Sequence, residues 1–259
     1  MEIAGARIWI TGASSGIGAA LARELADRGA HVAVSARRAD RLAEVAGDRM
    51  VAVQVDVTDR SATVAAGAAV RAALGGLDVA VLNAGTWSEF VVDPWDSQLF
   101  ADHLQVNVLG AVHSLEAVVP AMLAAGRGRI VGVASVAGYR GIPGSEAYNA
   151  GKAALISLFE SLRGSLAGRG IIVQTVNPGF VRTTMTERNR FPMPFRVEPA
   201  VAARAIADGI ARDRAEVVFP LPMAVGMKLA RLVPARAWTA LTAQLARRGL
   251  TKDPTAGQA

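Results

Sequence analysis

The chain predicts an α/β fold: a three-layer, doubly wound parallel sheet of about seven strands with helices on both faces. Three observations carry that expectation. Strand-like and helix-like segments alternate along the sequence, as they must where helical crossovers join parallel strands. The strand-like segments are short and apolar without strict alternation, which suits a sheet covered on both faces. A glycine-rich turn separates the first strand from the first helix.

In order, residues 7–11 read as a short strand ending in that turn. Residues 17–28 have helical spacing, with Ile17, Leu21 and Leu25 on one face, and Gly29 stops the helix. A second strand covers 32–35, and 41–45 sit in a second helix. A third strand spans 50–55, and 60–74 is a helix rich in alanine, the best helix former. The fourth strand, 77–82, leads to one or two long helices within 96–123. A fifth strand at 129–134, a helix at 148–167 and a sixth strand at 171–176 follow. A helix at 201–212 and a short strand at 216–219 complete the alternation.

Composition narrows the chemistry. The 259 residues suffice for a large core, and 52% are apolar, which excludes a disordered chain. There is no cysteine, so disulfides, thiolate nucleophiles and cysteine metal sites are excluded. His31, His103 and His113 are scattered, and no metal site is expected. Aromatic residues are 5%, too few for a base-stacking surface. The net charge of +6 is local: residues 217–252 hold six Lys/Arg and no Asp/Glu, while the remaining chain balances 22 basic against 22 acidic residues. No nucleic-acid partner is therefore expected. Met1-Glu2 starts acidic and the apolar run 6–10 is broken by Arg7, unlike a secretory signal. The apolar run 221–233 is too short to span a bilayer and carries Lys228 and Arg231. A cytoplasmic protein is the expectation.

The turn reads Thr11-Gly12-Ala13-Ser14-Ser15-Gly16-Ile17-Gly18. Gly12 can make the tight turn, Gly16 admits a diphosphate close to the backbone, and Gly18 permits close helix–strand packing. The helix start, through Ser14, Ser15 and Ile17, then offers free amides to the anion. At the end of the second strand a dinucleotide site that prefers NAD places an acid on the ribose 2′-hydroxyl. Here the sequence is Val34-Ser35-Ala36-Arg37-Arg38, and Arg37 and Arg38 could instead pair with a 2′-phosphate. NADP(H) is the expected cofactor, ahead of NAD(H).

These motifs, in this order, resemble the short-chain dehydrogenase/reductase family, whose fold is of the Rossmann type. The turn has the family's TGxxxGxG form, and the match runs over residues 7–183. Asp56-Val57 resembles the family's adenine-flanking pair and Asn83-Ala84-Gly85 its fourth-strand motif. Asn107, Ser135, Tyr148 and Lys152 fall where its catalytic tetrad is expected. Pro178-Gly179, with Val181 and Thr183 following, resembles the segment that receives the nicotinamide end. The resemblance implies that Lys152 also contacts the nicotinamide ribose and that Asn107 holds a water linking the lysine to solvent. It also implies a homodimer or homotetramer.

The residue chemistry agrees. Tyr148 and Lys152 are four apart and share a helix face. A tyrosine ionises near pH 10, and a nearby ammonium with an oxidised nicotinamide should lower that value. Tyr148 would then act as general acid in reduction and general base in oxidation, with Ser135 holding the substrate oxygen. Gly151 between them admits either a close approach or no role. Trp87 and Trp95 could line a substrate mouth or simply pack.

The loop 184–198 carries Met185, Phe191, Met193 and Phe195, with Pro192 and Pro194, and suits either a lid over a hydrophobic substrate or simple packing. After Pro234, Trp238, Leu241 and Leu245 form a helical stripe with Arg236, Arg247 and Arg248 largely off it. The tail could touch an anionic membrane surface through 221–252, meet a partner subunit, or pack on its own domain. The expected organisation is one domain over 1–220, including the 184–198 loop, and a basic amphipathic extension over 221–259. The expected function is hydride transfer between NADP(H) and a carbonyl/secondary alcohol pair, with a hydrophobic substrate; the alternatives are a non-catalytic NADP(H)-binding sensor or scaffold, against which the intact Ser–Tyr–Lys set argues, and a membrane-surface protein acting through its tail.

Overall fold

The computed structural model describes residues 1–188 and 192–249, without the side chains at 188 and 245–249. Phe191, Lys252 and the side chains of Leu245, Arg247 and Arg248 therefore lie outside the described residues.

The strands are β1 (Arg7–Thr11), β2 (His31–Ser35), β3 (Val51–Ala52), β4 (Val79–Leu82), β5 (Gly128–Val133), β6 (Ile171–Pro178) and β7 (Glu216–Phe219). They form one sheet in the order β3-β2-β1-β4-β5-β6-β7, with every pairing parallel. Alternate residues of β1 serve the two faces. Ile8 and Ile10 join the core under α1 (Gly16–Asp27) and α7 (Pro199–Ala211). Trp9 joins the core under α3 (Arg60–Leu74), α5 (Gly110–Ala125) and α6 (Glu146–Leu166), and its indole donates to Ser35 Oγ at 2.9 Å. Both layers are needed, because each face of the sheet is apolar.

Local chemistry sets the helix ends. Gly29 adopts φ +85° just past α1, where a side chain would be strained. Asp59 caps α3 by accepting from Ala62 N at 2.9 Å, and Gly75 closes it in the left-handed conformation. The 96–123 region is one helical path: α4 (Ser97–Leu104), a π-type turn (Gln105–Leu109) and α5. That path is long and apolar enough to cross a membrane, but α5 packs against α3 and buries Leu115, Val118 and Met122.

Three strands shift by two residues or more, β4 by starting at Val79 rather than 77. The 50–55 strand pairs fully only over β3; beyond it Val53 N and Val55 N still donate to Val34 O and Ala36 O at 2.9 and 3.1 Å. These one-sided bonds let the edge segment turn towards the carboxyl ends of the neighbouring strands. β6 runs two residues past its expected end, because Asn177 and Pro178 remain in register with Val218 and Phe219.

β1 and β4 are joined at their entry ends by an ion pair. Arg7 Nε and Nη2 donate to the two Asp78 oxygens at 2.8 and 2.6 Å, and Arg7 Nη1 donates to Gly75 O at 2.7 Å. The Arg7 hydrogen bonds hold the Asp78 carboxyl below its ordinary 3.8. This depressed carboxylate stabilises the fold above pH 4 and loses that contribution as pH falls. Asp78→Asn should cost about 1–2 kcal/mol at pH 7, allowing for the pair's partial exposure. Urea denaturation at pH 7 and pH 3 should show the gap from wild type closing in acid; an equal gap at both would refute the ionic account.

Candidate active site

The strand order reverses between β1 and β4, and open α/β sheets bind ligands beyond the carboxyl ends of the strands at such a point. A cavity of about 380 Å³ opens there. Gly12, Ser14, Ser15, Gly16, Ile17 and Gly18 line it from the first turn, and Arg37 and Arg38 from the end of β2. Asp56 and Val57, then Asn83, Ala84 and Gly85, line it from the third and fourth strands. Ser135, Tyr148, Lys152, Pro178, Val181 and Thr183 complete it. Asn107 and Gly179 are not among the described lining residues. Ala36, Val55, Val106, Val133, Ala134, Thr184, Met185 and Thr186 also line it, and the sequence reading did not single them out for this site, apart from placing Met185 in the lid-like loop. Their only sequence signal is adjacency to the motifs.

The turn is built for close approach. Gly12 has φ +67°, and a Cβ there would lie 2.6 Å from Ala84 Cα. A Cβ on Gly18 would lie 2.5 Å from both Asn83 Nδ2 and Gly12 O. Asn83 braces this contact, its Nδ2 donating to Thr11 O and Gly12 O, both at 3.0 Å. Ser15 precedes α1 and makes no side-chain cap, so the first-turn amides face the crevice without an internal acceptor. Arg38 Nη2 donates to Ser14 Oγ at 3.3 Å and Ser15 Oγ at 3.5 Å. Arg37, also exposed, lies 3.9 Å from Asp56. Glycines, amides, hydroxyls and two guanidinium groups thus form a donor set that fits a dinucleotide diphosphate and a further phosphate.

Ser135 ends β5 and is tied on two sides. Its Oγ accepts from Ala137 N at 3.1 Å, capping a short 3-10 turn at Val136–Gly138, and donates to Pro178 O at 3.3 Å. Ser135 and Tyr148 line the cavity together, and the Ser135 hydroxyl acts to lower the pKa of the phenol. One turn further along α6, Lys152 is buried, and its Nζ donates to Val133 O at 3.0 Å while lying 5.5 Å from the Tyr148 ring centroid. Burial pulls the Lys152 ammonium down from 10.5 to about 8.

Without a cofactor, crowding by protein pushes the Tyr148 phenol above its ordinary value, and the Ser135 hydroxyl opposes this only in part. Lys152 does not pull it down in the protein alone: with a pKa of about 8 the lysine is already neutral where the phenol ionises, and its Nζ donates to the Val133 carbonyl. Asn107 sits in the π-type turn, fully buried behind the crevice. Its Oδ1 accepts from Thr86 N at 2.8 Å and its Nδ2 donates to Thr86 O at 3.0 Å. These bonds hold the loop that follows β4. Gly151 packs against this turn with ordinary room for a Cβ, 3.6 Å from Asn107 Cβ.

Other expected residues sit apart. Trp87 Nε1 donates to Ser145 Oγ at 3.2 Å, and Trp95 meets Phe90 edge-on at 5.1 Å. Neither is among the described residues lining the cavity. In the 184–198 loop Met185 lines the cavity, while Phe195 is exposed. Gly179 instead lies against Met223 of α8 (Leu221–Ala230). Behind Ser135, Glu216 accepts hydrogen bonds from Tyr139, Asn177 and Lys228, and Asn177 Nδ2 also donates to the Tyr139 hydroxyl at 3.0 Å. The last helix, α9 (Ala235–Gly249), is anchored by Trp238, whose indole donates to Gly141 O at 2.8 Å beneath Arg140.

Comparison with known proteins bears on this geometry. Residues 6–192 match the family model for the short chain dehydrogenase. An uncharacterized oxidoreductase of Myxococcus xanthus (strain DK1622) is 42% identical over 233 residues, covering 87% of this chain and 91% of the relative. A short chain dehydrogenase from Burkholderia cenocepacia J2315, solved in complex with NADP, aligns with a TM-score of 0.83 at 26% identity, over 93% of this chain and 99% of that one. A short chain dehydrogenase/reductase from Burkholderia phymatum, solved with NAD, aligns with a TM-score of 0.81 at 24% identity, over 88% and 94% of the two chains, and speaks for the fold alone. With the glycine turn, the seven-stranded parallel sheet and the Ser–Tyr–Lys cluster in one molecule, the chain belongs to the short-chain dehydrogenase/reductase family of oxidoreductases.

Proposed function

We propose that this oxidoreductase transfers a hydride between NADP(H) and a carbonyl/secondary alcohol pair, with a hydrophobic substrate. The observation that carries the reading is the convergence of the glycine turn, both arginines and the Ser135–Tyr148–Lys152 cluster on one cavity. Gly12, Gly16, Gly18 and the first-turn amides would hold the diphosphate, with Asp56 and Val57 flanking the adenine. Arg38, already over Ser14 and Ser15, and Arg37 beside it, would pair with the 2′-phosphate. Pro178, Val181 and Thr183 would line the nicotinamide end. The cofactor, when bound, supplies the hydride.

The protein's part is positional and electrostatic. Ser135 would donate to the substrate oxygen and keep it within reach of Tyr148. The phenol, kept protonated by the protein crowded around it, would deliver its proton to that oxygen in reduction and take it back in oxidation. Lys152, with a pKa of about 8, can pass a proton to the phenol near neutral pH. Asn107 would steady the wall beside it through Thr86. Homo-oligomeric assembly belongs to the same reading.

A paired fluorescence titration with NADPH and NADH tests the cofactor assignment. NADPH should bind more tightly, and Arg37→Ala or Arg38→Ala should each weaken it about tenfold while leaving NADH nearly unchanged. Equal affinities would remove the 2′-phosphate reading, and binding of neither would remove the enzyme reading.

A further inference from the structure

The tail is the sequence motif that the active-site reading leaves unused. α8 starts two residues after β7 ends, on the carboxyl-end side of the sheet where the crevice also opens. Its inner side buries Ala224 and Ala230, with Met223 and Met227 packed on the core. Met223 lies against Gly179, the residue after the Pro178 carbonyl that accepts from Ser135.

The outer side is different. Leu221, Val225 and Leu229 follow one another at four-residue steps and are 73%, 50% and 58% exposed. Leu232, just past the helix end, is 79% exposed. Side chains spaced this way form one apolar strip on a helix. Along residues 217–252 the chain carries cations and no Asp or Glu, and the carboxylate that reaches α8 is Glu216, paired with Lys228. Lys228 is held by Glu216, Arg231 lies 5.7 Å over the Tyr139 ring, and Arg236 makes no ion pair among the described residues. Apolar side chains with cations at their border complement an anionic lipid surface: the leucines enter the acyl boundary and the guanidinium groups meet the phosphates. A second copy fits less well, because a two-fold contact through this strip would set the cationic borders against each other.

We propose that α8 docks the protein on an anionic bilayer through Leu221, Val225, Leu229 and Leu232. The docking rests on this surface. Its consequence for the substrate rests on the proposed hydride-transfer reading: a carbonyl or alcohol that partitions into lipid would enter beside Met223.

Co-sedimentation of the full chain with vesicles tests it, using phosphatidylcholine alone and phosphatidylcholine with about one-third phosphatidylglycerol. The chain should pellet with the anionic vesicles, and about 0.5 M salt should weaken that binding. Leu229→Ser with Leu232→Ser, both facing outward, should reduce it at least tenfold, on the order expected for two buried leucines. Arg236→Glu should reduce it on anionic vesicles as well. No pelleting of the intact chain, or unchanged pelleting of the leucine variant, would overturn the proposal. So would self-association that the same leucine variant abolishes without any vesicle binding. NADPH titration of the same samples reads the crevice separately. NADPH binding without vesicle binding would sink the docking alone, and vesicle binding without NADPH binding would sink the site reading alone.

Discussion

Tyr148→Phe should lower NADPH-dependent carbonyl turnover by about 10³-fold, the usual range for losing a positioned general acid. NADPH affinity should change little. The substitution removes one oxygen and keeps the ring that lines the cavity. The neighbouring Ser135 Oγ keeps Ala137 N and Pro178 O, so no buried group is orphaned and the fold should hold. Stopped-flow reduction of a panel of apolar ketones, together with NADPH titration, checks both halves. Turnover within tenfold of wild type would remove Tyr148 from the acid/base role. Loss of NADPH binding would mean that the phenol holds the cofactor rather than the proton.

Lys152→Met should abolish turnover and yet stabilise the protein without its cofactor. The effect is one of proton linkage. A buried ammonium with a pKa of about 8, against 10.5 when unburied, penalises the folded state fully below pH 8. The penalty fades as pH rises from 8 to 10.5, where the unfolded chain still binds the proton and the folded chain has released it. Its size is about 3 kcal/mol. Methionine removes this term but leaves Val133 O without its donor, which costs about 1 kcal/mol. The net gain near pH 7 is about 2 kcal/mol, or roughly 4–8 °C in Tm. Wild-type stability should rise between pH 8 and 10.5 relative to the variant. Calorimetry across that window checks the sign; a Tm that falls for the variant at pH 7 would show that the Val133 contact outweighs desolvation.

What the sequence determined by itself was whatever depends on near neighbours in the chain. The alternation of elements set the parallel sheet, because each helical crossover returns the chain in the same direction. The glycine turn was legible because strain and close approach restrict those positions to glycine. Tyr148 and Lys152 were placed together by the helical repeat alone. The basic character of the tail was legible as a run with no acid.

The tertiary structure decided what depends on residues far apart. The one-residue difference between Arg37 and Arg38 puts one beside Asp56 and the other over Ser14 and Ser15, a choice made by packing at the end of β2. The π-type turn that buries Asn107 carries no spacing signal, since it adds a residue to an otherwise regular helix. Tyr139, Asn177 and Glu216 meet behind Ser135 only because β6 and β7 run in register beyond residue 176. The same is true of the charge state. Chain spacing implied that Lys152, together with an oxidised nicotinamide, would lower the Tyr148 pKa; in the protein alone burial raises it, and the lysine points to Val133 O. Desolvation is set by the whole surrounding volume, which no local pattern records. Nor did the tail's periodicity say which side would face out: β7 and the Val136–Gly138 turn take the alanine and methionine side of α8, and the leucines are left to the solvent.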